Sequence, residues 1–118
     1  MTTNQKHPKE SRLLKASEYQ FVYQQGDWVS NRELVANFYQ HNTSVSKLGI
    51  TVSKKVSKLA VDRNRIKRQI REWFRKKDLQ KLSIHLIVTA KPNSNSKTNR
   101  EIQHSLEDLW RKVQKKCS

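Results

Sequence analysis

Apolar positions in this chain recur with two different periods, and each change of period marks an element. Over residues 34–40, Leu34, Ala36 and Phe38 alternate with Val35, Asn37 and Tyr39, the two-residue repeat of a half-buried strand. Leu48, Ile50 and Val52 alternate with Gly49, Thr51 and Ser53 in a second strand. A third runs from Ser83 to Ala90, with Ile84, Leu86, Val88 and Ala90 on one face and Ile87 on the other. Residues 27–30 are a candidate for a further short strand.

Over residues 59–77 the period lengthens. Stepping about 100° per residue gathers Ile66, Ile70, Trp73 and Phe74 into one apolar wedge. Asn64, Arg68, Arg71 and Arg75 fall on the opposite side, with Lys67 on the flank. A helix of this kind buries one face and holds out a row of cations on the other. A last helix opens at the capping box Thr98-Asn99-Arg100-Glu101 and carries the stripe Ile102, Leu106, Leu109, Trp110, Val113. A short first helix is expected over residues 18–25, capped by Ser17 with Gln20 at the capping-box position and closed by Gly26 as C′ residue. Its Tyr19 and Tyr23 share a face with Val22, while Phe21 points elsewhere. Pro92 and the polar residues 93–97 read as a loop.

The order is therefore helix, two or three strands, helix, strand, helix. A strand, a long helix and another strand suggest a crossover joining parallel strands. Three helices then cover a small mixed sheet, an α+β sandwich. Residues 13–115 are expected to form one domain, after a basic arm over 1–12 and before a frayed tail over 116–118.

Charge changes the picture more than size does. A net charge of +15 on 118 residues, with a pI near 10.3, argues for a polyanionic partner. The hydrophobic fraction of 34% suffices for a small core. No apolar run approaches the ~18 residues of a membrane span, and residues 1–12 lack the apolar segment of a secretory signal. Cys117 is the only cysteine, which excludes an internal disulfide and a thiolate metal cage. A cytoplasmic protein is the expectation.

Catalytic chemistry finds little support. His7, His41, His85 and His104 are scattered without ligand spacing, and no catalytic or metal-ligating residue is assigned. Asp62 and Glu72 lie at roughly opposite azimuths among arginines, as local charge partners. Only Gly26 and Gly49 are present, so there is no glycine-rich phosphate loop. Binding is better supported. Residues 54–77 carry eleven Lys/Arg against two Asp/Glu. Like charges three and four apart destabilise an isolated helix, and arginine's planar fork pairs bidentately with phosphate. Strands flank this helix on both sides, where a helix-turn-helix would need a second helix after a short turn. Folded RNA, read by phosphates and shape, suits that setting better than a DNA groove.

Val52-Ser53-Lys54-Lys55, followed by residues 60–71 with Arg63-Asn64-Arg65-Ile66-Lys67-Arg68 at their centre, resembles the signature of the bacterial ribonuclease P protein subunit. Arg12-Leu13, Gly26, Asn31-Arg32, residues 48–52 and residues 105–111 fit the same family in order. The resemblance implies an α-β-β-β-α-β-α two-layer sandwich with a left-handed crossover through the basic helix, against the usual right-handed rule. It implies the protein component of a ribonucleoprotein endonuclease that removes the 5′ leader from precursor tRNA, with catalysis on the RNA subunit and its Mg²⁺ ions. The partners implied are the catalytic RNA and precursor tRNA, with a monomeric protein at one copy per RNA. Lys54, Lys55, Arg63, Asn64, Arg65, Lys67, Arg68, Arg71 and Arg75 would contact the catalytic RNA. Arg12, Tyr19, Tyr23 and Tyr39 would meet the single-stranded leader, on whose bases aromatic rings can stack. Two positions depart from the family pattern. Asn37 stands where an aromatic is frequent, leaving Val35 and Tyr39 on its face as substitutes, and residues 56–59 lack a glycine common in the turn.

Overall fold

The computed structural model describes residues 13–40, 46–77 and 83–117; the expected N-terminal arm, Arg12 and Ser118 lie outside them. The elements are α1 (Ala16–Gln25), β1 (Asp27–Ser30), β2 (Leu34–Gln40), β3 (Lys47–Thr51), α2 (Ala60–Lys77), β4 (Ile84–Ala90), a 3₁₀ helix (Pro92–Ser96) and α3 (Asn99–Cys117). The strands form one sheet in the order β1-β2-β4-β3. β1 pairs with β2 and β2 with β4 antiparallel, whereas β3 lies parallel to β4. The expected α-β-β-β-α-β-α order and mixed sheet are thus present, and α2 is the connection that lets β3 and β4 run in the same direction.

The two-residue alternation sorts the side chains onto two faces. One face carries Leu34, Ala36, Phe38, Leu48, Ile84, Leu86, Val88 and Ala90, which form the main core with Ile66, Ile70, Trp73 and Phe74 of α2 and Ile102, Leu106, Leu109, Trp110 and Val113 of α3. Both helical stripes therefore lie where their periods put them. The Trp73 and Trp110 rings meet edge-on, 5.9 Å between centroids. The Trp73 indole donates to Glu107, 2.8 Å away, and Gln103 donates to the Gln69 carbonyl at 2.9 Å, tying α2 to α3. The other face is only partly covered. There Val22, Leu14 and Ile87 form a small second cluster, with Tyr19 and Tyr39 packed against it.

Local chemistry differs from the sequence expectation at four points. α1 begins at Ala16, and its start is held by the Glu18 carboxylate accepting the Lys15 amide at 2.7 Å; Ser17 lies inside the helix and does not cap it. Gly26 closes α1 with a φ of −91°, not the left-handed C′ geometry. Its requirement is space, since a Cβ there would strike the Phe38 carbonyl oxygen and come 2.7 Å from the Val22 oxygen. Residues 92–96, expected as a loop, form a 3₁₀ turn with Pro92 in its first turn and Ser94 Oγ donating to the Lys91 carbonyl at 2.7 Å. α3 continues through Lys116 to Cys117, beyond the expected fraying point. The capping box of α3 forms as expected: the Thr98 amide donates to Glu101 at 2.8 Å and the Glu101 amide to Thr98 Oγ1 at 3.1 Å.

Asn31 fixes the β1–β2 turn. Its Oδ1 accepts the Glu33 and Leu34 amides at 3.1 and 2.9 Å, and its Nδ2 donates to the Ser105 carbonyl at 2.9 Å. One side chain thereby shapes the turn and docks it on α3. No helix among the described residues is long and apolar enough to cross a membrane.

Candidate nucleic-acid interface

Two surfaces, one cationic and one aromatic, stand on opposite sides of this scaffold. The first is built by α2 and the turn before it. After β3, the Val56 amide closes a turn onto the Ser53 carbonyl at 3.0 Å, and the buried Val56 side chain pins it. Lys54 and Lys55 are thereby left exposed at its tip. The turn needs no glycine, because no residue from 53 to 59 has a positive φ. The Ser57 hydroxyl donates to Asp62 at 2.8 Å and accepts the Leu59 amide at 3.1 Å, which starts α2.

The nine residues expected to meet RNA on this side fall into two groups. Some are already engaged. Arg63 donates to the Ser57 and Lys58 carbonyls at 2.9 and 3.0 Å. Arg65 donates to Asn99 Oδ1 at 2.7 Å and the Asn95 carbonyl at 3.2 Å, bracing the 3₁₀ turn against α2. Arg75 pairs with Glu72 at 2.6 Å, and that hydrogen bond holds the Glu72 carboxyl below its usual pKa. Arg68, Arg71 and Asn64 are exposed and Lys67 is half-buried. Among the described residues, no hydrogen bond or ion pair joins the Arg68, Arg71 or Lys67 side chains to protein groups. The Arg68 and Arg71 side chains lie open to solvent, where phosphate oxygens can satisfy their donors.

The second surface is the sheet face that α1 covers in part. Tyr19 lies over Gly49, where a Cβ would come 2.7 Å from its ring, and its hydroxyl accepts the Ile50 amide at 3.1 Å. Burial raises its phenol pKa, against the opposing pull of that amide. Tyr23, four residues on, is 48% exposed, with its ring centroid 6.4 Å from that of Tyr19. Tyr39 packs edge-on against Phe21 at 4.9 Å. Tyr19 is thus anchored while Tyr23 is open. Glu18 fixes α1 to β3 through Lys47 at 2.9 Å. Burial alone would raise the Glu18 carboxyl, but hydrogen bonds from Lys47 and the Lys15 amide outweigh it and lower the pKa.

One residue on this face escapes the sequence reading. Trp28 of β1 is 61% exposed and sits directly across from Asn37. Its position beside Val29 in a two-residue alternation was the available signal.

The family model for ribonuclease P matches residues 7–114. The chain belongs to the ribonuclease P protein family. It is the protein component of a ribonucleoprotein enzyme of tRNA 5′ processing, and an RNA subunit is its partner. The ribonuclease P protein component of Legionella pneumophila (strain Lens) is 34% identical over 105 residues, 89% of this chain and 90% of that one. That of Staphylococcus haemolyticus is 42% identical over 103 residues, covering 86% and 88%. The Staphylococcus aureus RNase P protein structure superposes with a TM-score of 0.80 at 36% identity, covering 86% of this chain and 94% of that chain. Within the ribonuclease P protein family the Asn31 and Ser-Lys-Lys elements now have structural explanations in this chain: the first organises a turn, and the second presents two cations at the mouth of α2.

Proposed function

We propose that this chain assists a catalytic RNA in removing the 5′ leader from precursor tRNA, holding the RNA subunit on the α2 surface and the single-stranded leader on the α1–sheet surface. The observation that carries the reading is the separation of the two surfaces by the sheet. Cations such as Arg68 and Arg71, which make no hydrogen bond or ion pair among the described residues, suit folded RNA and its phosphates. Open aromatics beside a sheet suit unpaired bases. Lys54, Lys55, Asn64, Lys67, Arg68 and Arg71 form the RNA-subunit surface, with Arg63, Arg65 and Arg75 shaping the helix ends and adding charge. Tyr23 and the neighbouring sheet face form the leader surface, with Tyr19 supporting it; Arg12, also expected to meet the leader, lies outside the described residues. One protein monomer per RNA is the stoichiometry.

Among the described residues no three His, Cys, Asp or Glu side chains converge as a metal site. Mg²⁺ held by the RNA supplies charge neutralisation for phosphodiester hydrolysis. The protein lowers repulsion between two polyanions and positions the leader.

Reconstitution tests this reading: purified protein, a ribonuclease P RNA and a precursor tRNA at low Mg²⁺. The expected result is faster release of the 5′ leader than with RNA alone. No stimulation, with the protein folded and binding the RNA, would sink it.

A further inference from the structure

The register of the sheet places one row of residues across all four strands on the face that α1 partly covers. Trp28 lies opposite Asn37, Asn37 opposite Ile87, and Ile87 opposite Gly49. Three inter-strand spacings separate the ends of the row, about 14 Å. Tyr19 lies over the Gly49 end. Trp28 stands at the other end, on the edge strand. Between them Asn37 is half-buried and Ile87 is fully buried in the cluster with Val22 and Leu14, and in the next row Val35, Thr89 and Thr51 are half-buried.

Trp28 differs from the other two tryptophans in leaving a large apolar surface in water. Trp73 and Trp110 are 4% and 6% exposed in the core, whereas Trp28 is 61% exposed. Asn37 offers no aromatic surface at the centre of the sheet, and Tyr39 is engaged edge-on by Phe21. Directly opposed residues have Cβ atoms about 5 Å apart, so the Trp28 side chain starts within reach of the space an aromatic at 37 would fill. We infer that Trp28 is a stacking platform for a base of the single-stranded 5′ leader, supplying from β1 the ring that Asn37 lacks on β2. The inference rests on the leader reading above. The protein's charge of +15 and its family favour an RNA strand as the occupant of this face.

Two experiments on the reconstituted holoenzyme and the free protein decide it. In the holoenzyme, Trp28→Ala should weaken binding of precursor tRNA by about 5- to 160-fold, the range for losing one base–aromatic stack, and leave mature tRNA binding unchanged. Trp28→Phe should retain most of the affinity. Asn37→Tyr introduced into the Trp28→Ala protein should restore it, because the ring returns to the adjacent strand. In the free protein, a single-stranded RNA oligonucleotide should quench the exposed tryptophan's fluorescence, and the quenching should vanish in Trp28→Phe, which keeps the two buried indoles.

Equal losses for precursor and mature tRNA, or no loss, would overturn the role of Trp28. Tyr23→Ala separates the two levels of the argument. If it selectively weakens precursor binding while Trp28→Ala does not, Trp28 is refuted and leader binding on this face stands. If neither variant discriminates precursor from mature tRNA, leader binding on this face falls with it. Concentration-dependent dimers that Trp28→Ala disperses would show a second copy of the chain as the occupant, and would also overturn the inference.

Discussion

Gly49→Ala should unseat Tyr19 without touching the core. Gly49 has a negative φ, so alanine fits its backbone and the whole effect is steric. The new Cβ would lie 2.7 Å from Cζ of Tyr19 and 2.7 Å from its hydroxyl oxygen. Carbon atoms in contact prefer about 3.5–4.0 Å, so the ring must retreat by roughly 0.8 Å or more. The Ile50 amide now reaches the Tyr19 hydroxyl at 3.1 Å, and such a retreat takes the pair outside hydrogen-bonding distance. Overpacking costs about 1–3 kcal/mol and the broken hydrogen bond about 1 kcal/mol. The reduced freedom of alanine in the unfolded chain offsets about 0.4–1 kcal/mol. The net destabilisation should be about 1–3 kcal/mol by these terms.

Background decides the sign. In a Tyr19→Ala protein the clash is absent, and Gly49→Ala should become neutral or stabilising by up to ~1 kcal/mol. Urea unfolding of the four proteins at fixed salt, followed through the buried tryptophans, closes the double-mutant cycle. An equal cost for Gly49→Ala in both backgrounds would refute the close approach of Tyr19 to β3. The same cycle bears on the proposed leader surface, because a displaced Tyr19 leaves the neighbouring Tyr23 ring without its companion.

Two further predictions separate groups that the sequence alone treats alike. Arg68→Ala with Arg71→Ala should flatten the dependence of RNA-subunit affinity on log salt by about 0.7–0.9 for each phosphate no longer neutralised, with little change in stability. Arg65→Ala should instead lower stability, as it releases Asn95 and Asn99; matching salt slopes for Arg65→Ala and the double variant would contradict that division. Glu107 is partly buried, which would raise its carboxyl, but hydrogen bonds from Lys77 and Trp73 hold its pKa below the usual 4.5. A depressed folded-state pKa contributes stability above the unfolded value and loses it as pH falls through the folded one. Glu107→Gln should therefore be less stable than the parent at pH 7, with the gap narrowing as pH falls below the usual 4.5 and through the lowered folded-state pKa; a gap independent of pH would mean the carboxylate's charge plays no part in it.

Which parts of this molecule are legible in its sequence follows from the range of the forces involved. The stripes of α2 and α3 and the alternation of β2 and β4 are local repeats set by one face meeting the core, and they appear where the pattern puts them. The Thr98–Glu101 box is equally local. The start of α1 escaped because its capping carboxylate sits inside the helix at Glu18, where hydroxyl-based rules do not look. Gly26 escaped because its constraint comes from β2, across the fold. The cationic surface shows the same split. Its existence is a matter of composition, but Arg65 is engaged by partners 30 and 34 residues away that no helical wheel displays. Trp28 belongs to the same class, since its proximity to Asn37 depends on the hairpin register.

The position of β4 also sets an order of events during folding. It pairs with β2 on one side and β3 on the other, so the middle of the sheet is the last strand to leave the ribosome. Until residue 90 has been made, β1 and β2 can form only an isolated hairpin, which is marginal in water, and β3 still waits for the strand it pairs with. The β2–β4 register joins Leu34 to Ala90 and Gln40 to Ile84, closures over long stretches of chain that carry an entropic cost before any pairing offsets it. The nascent protein therefore carries α2 as a basic amphipathic segment with its apolar side uncovered. Chain termination before β4 leaves a product with no sheet to complete, and one prone to aggregate.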